Sequence, residues 1–214
     1  MLKRLLFSIA LVLLTSSIAL AYNPLITDDA NTIGEGCYLI DVFRSYSIIN
    51  NKIELTPSIE YGVVDRLDVI VELPTDMNQR WGTDIALKLL LYKNDYFAFS
   101  VRPLAGIMMF EFGSFDYNLN FSGSVNLGAL IFYENLEYDF SYSSIFISSA
   151  AEYIVSNGLA VTINIGTKKL IGGNLFAIGG LMYSLTDKID IDLGVKYEFM
   201  GNNLSSLLGF EIRL

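Results

Sequence analysis

The stretch Ile189–Phe199 reads Ile-Asp-Ile-Asp-Leu-Gly-Val-Lys-Tyr-Glu-Phe, apolar at every odd position and polar or small at every even one. Successive side chains of a strand point to opposite faces, so this alternation specifies a strand with one apolar and one charged face. Wound as a helix, the same residues would scatter Asp190, Asp192, Lys196 and Glu198 around the circumference. The length also matches the roughly 9–11 residues that a tilted strand needs to cross a bilayer.

The unit recurs along the chain between turn residues. Strands are expected at Cys37–Ile48, Ile53–Tyr61, Leu67–Leu73, Asp84–Tyr92, Tyr96–Leu104, Asp116–Val125, Leu130–Phe140, Ser144–Tyr153, Leu159–Lys168, Leu175–Ser184, Ile189–Phe199 and Leu204–Leu214. Pro74–Gly82 reads as a polar loop, and Ala105–Ser114 as either a strand extension or a loop. About twelve strands, an even number, would place both chain termini on one side of the membrane. A ten-residue strand rising about 3.3 Å per residue and tilted about 45° climbs roughly 23 Å, close to the ~25 Å apolar band of an outer-membrane barrel. One turn pattern occurs three times, at Tyr61–Leu67, Tyr153–Leu159 and Tyr183–Ile189, each with Tyr, then Val or Leu, then Asp or Asn, then Leu or Ile. Asp and Asn bond to their own turn backbone, and a strand-end tyrosine suits a membrane interface.

Hydrophobic residues make up 52% of the chain, yet beyond residue 21 no run of 18 apolar residues occurs. High apolar content spread in alternation is what a closed antiparallel transmembrane β-barrel requires, with lipid outside and polar residues inside. The chain opens with Lys3 and Arg4, an apolar Leu5–Leu14 too short to span as a helix, and Ala19-Leu20-Ala21. This is signal-peptide writing. We therefore expect a cleaved signal peptide at 1–21, an irregular arm at 22–35 and an outer-membrane barrel at 36–214, in the outer membrane of a diderm bacterium. The partners expected are outer-membrane lipid, small-molecule solutes and, during biogenesis, the barrel-assembly machinery.

Charge and residue type exclude several functions. The net charge is −9, and loss of Lys3 and Arg4 would make it more negative, which speaks against nucleic acid as a partner. Histidine is absent, so Ser-His-Asp, Cys-His and His-metal chemistries are out of reach in their usual forms. No cofactor and no enzymatic activity are expected. Asp190 and Asp192 are the nearest approach to a carboxylate pair, but two residues apart on one strand they read more simply as lining. Cys37, the only cysteine, excludes an internal disulfide and is expected to be buried or to face lipid. In the arm, Asp28-Asp29 could hold a cation or work as an acid/base pair; the simpler expectation is a turn cap.

If apolar positions face lipid, the inward acids are Asp41, Glu54, Glu60, Asp68, Glu72, Asp84, Glu137, Asp139, Glu152, Asp190, Asp192, Glu198 and Glu211. The inward bases are Lys88, Arg102, Lys196 and Arg213. A lumen so biased favours cations. The expected function is a passive outer-membrane channel for small molecules, with a cation preference. The alternatives are a plugged or structural barrel without transport and a soluble lipocalin-like barrel, in which the apolar face would be turned inward.

The arm Pro24-Leu-Ile-Thr-Asp28-Asp29-Ala-Asn-Thr-Ile-Gly34-Glu-Gly36 resembles the opening of the outer-membrane putative transporters grouped as "MetA-pathway of phenol degradation". Glu60-Tyr61-Gly62-Val-Val-Asp65-Arg66-Leu67, Gly82-Thr-Asp84-Ile-Ala-Leu87-Lys88 and Asn135-Leu136-Glu137-Tyr138 fit that group as well, with Glu137 where the group has glycine. The last strand is similar to a barrel-assembly signal, with Leu214 where phenylalanine is usual. The resemblance implies a barrel that moves small molecules, without defining a substrate.

Overall fold

A strand that is polar on one face and apolar on the other, with no water to satisfy its edges, is stable in lipid only inside a closed ring. The computed structural model describes residues 29–48, 52–76, 80–108, 114–167, 173 and 175–214. The expected signal peptide and residues 22–28 of the arm lie outside the described residues. The strands are β1 (Tyr38–Ser47), β2 (Lys52–Val64), β3 (Leu67–Glu72), β4 (Thr75–Asp76), β5 (Arg80–Lys93), β6 (Phe97–Met108) and β7 (Ser114–Asn126). They continue as β8 (Leu130–Asp139), β9 (Ser144–Ser156), β10 (Leu159–Thr167), β11 (Leu175–Thr186), β12 (Ile189–Glu198) and β13 (Asn203–Arg213).

All neighbours pair antiparallel. β3 and β4 both lie between β2 and β5. They form one stave, interrupted at Leu73-Pro74, where proline has no N–H to give the ladder. The barrel therefore has twelve staves. It closes through β1 and β13, in register from Leu39↔Arg213 to Ser47↔Ser205. The expected loop at Pro74–Gly82 is largely strand: Thr75-Asp76 rejoin the ladder against Trp81 and Arg80. Within Ala105–Ser114, β6 runs on to Met108 and β7 starts at Ser114; 109–113 lie outside the described residues.

The molecule is inside out relative to a soluble barrel. Leu193 is 52% exposed while its neighbour Asp192 is 1% exposed. Ile85, Leu87, Leu89 and Leu91 of β5 are exposed, and Lys88 between them is buried. This polarity rules out the soluble lipocalin-like alternative. Arg44 and Glu134 depart from it. Arg44 is exposed on the outer side of β1, opposite Leu55 and Leu208. Glu134 lies on the outer side of β8, opposite Gly123 and Ser149, and Ser149 Oγ donates to its Oε2 at 2.7 Å.

Aromatic pairs mark both rims. At the rim where Tyr38 and Leu214 exchange backbone hydrogen bonds, here the terminal rim, Tyr38 meets Tyr61 at 4.6 Å and Tyr92 meets Phe97 at 6.0 Å between ring centroids. At the opposite, distal rim, Tyr138 pairs with Phe140 at 4.7 Å and Tyr197 with Phe199 at 5.1 Å. Such rings sit well at the two interfaces of a bilayer. The three repeats of the tyrosine turn pattern all fall on the terminal rim, and each has a register shift beside it, at Gly62/Val64, Leu159/Ala160 and Ser184/Thr186.

Candidate functional site: the lumen and its strap

Strand parity decides which side chains meet in the interior. The structure places Glu54 and Glu60 of β2, Asp68 and Glu72 of β3, Asp84 and Lys88 of β5 and Arg102 of β6 on the inner face. Glu152 of β9, Asp190, Asp192, Lys196 and Glu198 of β12, and Glu211 of β13 face inward as well. Asp41, Glu137, Asp139 and Arg213 share that face. Asp116 does too: it lies opposite Gly106 on the inner side of β7. The parity of Asn118 and Asn120 was a sufficient signal for it.

Every inward base named above is spent on acids. Lys88 lies 3.5 Å from Glu60, Arg102 3.1 Å from Glu72 and Lys196 2.7 Å from Glu198. Arg213 reaches both Asp190, at 2.7 Å, and Glu211. Other acids take neutral donors: Tyr133 Oη donates to Glu152 at 2.8 Å, and Asp139 caps its own turn through the N–H groups of Ser141 and Tyr142. The inner face is therefore acidic even after pairing.

The lumen also has an apolar side. Phe43, Phe176, Ile178 and Leu207 form a buried cluster, on the distal side of the Asp41–Glu211 pair in register terms. Lys196 Nζ stands 5.0 Å from the Phe176 ring centroid, a cation–π distance. Phe43 and Leu207 could have been read from the parity of Asp41 and Glu211; nothing in the sequence says that they touch Phe176.

The described part of the arm enters the terminal mouth and follows the inner wall. Ile33 N donates to Asp68 Oδ2 at 3.1 Å, and Thr32 Oγ1 to the carbonyl of Asp65 at 2.7 Å. Further along the arm, Ala30 is fully buried beside Leu90 and Ala98, and its N–H donates to Ser124 Oγ at 3.0 Å. Ser124 Oγ donates in turn to Asp29 Oδ1 at 2.8 Å. Asp29 also accepts from the Asn31 backbone at 3.1 Å, the turn cap expected of an Asp in this position. At the arm's base, Gly36 N donates to the carbonyl of Gly62 and Gly62 N to that of Cys37. A Cβ on Gly62 would meet the Gly34 carbonyl oxygen at 1.8 Å, so only glycine lets the arm turn in here.

The strap divides the mouth. A cavity of about 680 Å³ lies on one side, with Asp41, Glu60, Glu72, Glu152 and Glu211 in its wall. A second, of about 500 Å³, lies toward the Lys93–Phe97 turn. Asp29, Asn31 and Tyr133 border both. Cys37 is exposed and borders the larger cavity. It is therefore neither buried nor lipid-facing: it precedes β1 at the rim, where the chain leaves the wall.

The fold is shared with solved outer-membrane proteins. The KdgM porin superposes with a TM-score of 0.67 at 14% identity, covering 81% of this chain and 98% of that one. The NanC porin gives 0.63 at 13%, covering 82% and 100%. Omp33 of Acinetobacter baumannii gives 0.57 at 10%, covering 84% and 99%. The fold is that of an outer-membrane porin barrel. At these identities the likeness concerns the fold alone. No protein-family model matches the chain, and no curated protein matches it. The similarity to the phenol-degradation group therefore rests on the stretches quoted above.

Proposed function

We propose that the protein is a passive outer-membrane channel for small solutes, with a preference for cations. Residues 1–21 serve as its signal peptide, 22–35 as its arm and 36–214 as its barrel. The observation that carries this reading is the acidic excess of the inner face, where each named base already contacts an acid. Fixed negative charge between low-dielectric walls concentrates cations and repels anions. Buried polar atoms without a protein partner on Ser148, Thr162 and Asn164 add to it, because such groups call for water. One KdgM structure holds oligogalacturonate. A polyacid of that kind suits this lumen poorly. Small aromatics, the class suggested by the phenol-degradation resemblance, find a surface at the Phe43–Phe176 cluster but no charge to match.

A second reading, a plugged barrel without transport, is favoured by the strap, which is held across the terminal mouth by Asp68 and Ser124. Liposome swelling separates the two. Vesicles holding the refolded full chain should swell faster in lysine hydrochloride than in sodium glutamate. Folded barrels that pass neither solute, with or without the arm, would establish the plugged reading.

A further inference from the structure

Among the described residues, register puts two charged side chains on the lipid side of the staves: Arg44 of β1 and Glu134 of β8. β8 is the seventh of the twelve staves counted from β1, so the two charges stand half-way round the barrel from each other. Both strands climb from the terminal rim. Arg44 is the seventh of the ten residues of β1 and Glu134 the fifth of the ten of β8. Both therefore lie near mid-belt, at depths two residues apart. A charge that faces lipid at this depth is costly and calls for a partner.

The barrel does not supply those partners in full. Arg44 is exposed among Val42, Tyr46, Leu55 and Leu208 on the outer face, and no described residue pairs with its guanidinium. Glu134 keeps one contact: Ser149 Oγ donates to its Oε2 at 2.7 Å, while no described residue donates to Oε1. The wall around Glu134 is low. Gly123 lies across from it on β7 and Ser149 on β9, with Ala151 next on the same face. A Cβ on Gly123 would meet nothing nearer than 4.0 Å, so no close approach within the barrel requires glycine there. Phe121, Phe132, Leu136 and Ile147 stand around this notch. Small residues of this kind let a second membrane-spanning wall come close.

We propose that copies of this chain associate side by side in the membrane, head to tail, with Arg44 of one barrel seated in the Glu134 notch of the next. Copies inserted from one side share one orientation, so the two charges of neighbouring barrels meet at nearly matching depth. The offset of two residues, about 3.3 Å each before tilt, is within reach of a long arginine side chain. A two-fold contact would set Arg44 against Arg44 or Glu134 against Glu134, and like charges in a low-dielectric interface repel. The head-to-tail contact gives each charge its opposite, in a charge-assisted hydrogen bond. Because the two faces lie half-way round the barrel, the contact repeats as an open row and does not close into a ring. The inference stands apart from whether the lumen conducts.

The test uses the full chain refolded in phosphatidylcholine vesicles and labelled at Cys37, its only cysteine and an exposed one, half with a donor dye and half with an acceptor. Energy transfer should exceed that of randomly spread barrels, and stepwise photobleaching should count rows longer than two. Arg44→Ala and Glu134→Gln should each weaken association about tenfold or more. Mixed together, the two variants should recover it, because one still carries Arg44 and the other Glu134, and the particles should stop at two copies. Arg44→Glu with Glu134→Arg in one chain should restore the rows. Random-level transfer in the wild type would overturn the proposal. So would a mixture no better than its separate variants, the result expected if each charge serves only its own barrel. Association lost in Arg44→Ala, kept in Glu134→Gln and dependent on added anionic lipid would also overturn it, and would make Arg44 a contact for phosphate headgroups.

Discussion

Leu193→Arg tests whether the outer face is the lipid face. Leu193 is the fifth residue of the ten in β12 and points outward at 52% exposure. Its neighbours across the sheet are Leu181 and Leu208. Tyr183 stands toward one rim and the Tyr197–Phe199 pair toward the other, so position 193 falls near mid-belt. An arginine at the midplane of a barrel wall costs about 2–4 kcal/mol. At about 1.4 kcal/mol per tenfold, that is roughly a 30- to 700-fold loss in the ratio of folded to unfolded protein. Ile189→Arg, on the same face but at the strand's end, should cost about 0–1 kcal/mol, because the penalty falls toward the interface. Asp192→Asn, one residue away and inward, should cost little. Reversible guanidinium titrations in phosphatidylcholine vesicles, followed by circular dichroism, give all three values. Equal losses for Leu193→Arg and Ile189→Arg, or a comparable loss for Asp192→Asn, would refute the assignment of faces.

Three further perturbations address the strap and the lipid belt. Deleting Tyr22–Thr32 should raise single-channel conductance, since the strap divides the terminal mouth. Gly62→Ala should act in the same direction by displacing the Gly34 carbonyl and should expose the arm to protease; unchanged conductance in both would make the arm a passive tail. Glu134→Leu should stabilise the barrel by about 1–2 kcal/mol, because an outward carboxyl is replaced by a side chain that lipid accepts. A loss of stability in vesicles would show that the Glu134–Ser149 contact contributes more than the lipid penalty costs.

The barrel was legible because period-2 writing survives wherever one face is lipid and the other is not. Ile189–Phe199 alone sets the inner and outer faces of its strand, and the tyrosine turns set the rim. Strand ends were less legible: Val63 and Val64 extend β2 past Tyr61, since an apolar residue at an interface looks the same on either side of a boundary. Thr75-Asp76 looks like loop in the sequence because Pro74 interrupts the alternation, and only the pairing with Arg80 and Trp81 shows that the ladder resumes. The acidic lining followed from parity. Its pairing did not, because Arg102 finds Glu72 and Lys88 finds Glu60 across a distance in sequence that no local pattern encodes. The course of the arm was equally hidden: Ser124 holds Ala30 and Asp29 from 94 and 95 residues away.

Reversal potential in a KCl gradient tests the central claim most directly. The wild type should be cation-selective at about 0.1 M salt, less so near 1 M as the Debye length shrinks from about 10 Å to about 3 Å. Neutralising Asp190, Asp192 and Glu198 together removes three inward charges from one strand and should move the potential toward zero. Anion preference in the wild type would contradict the account.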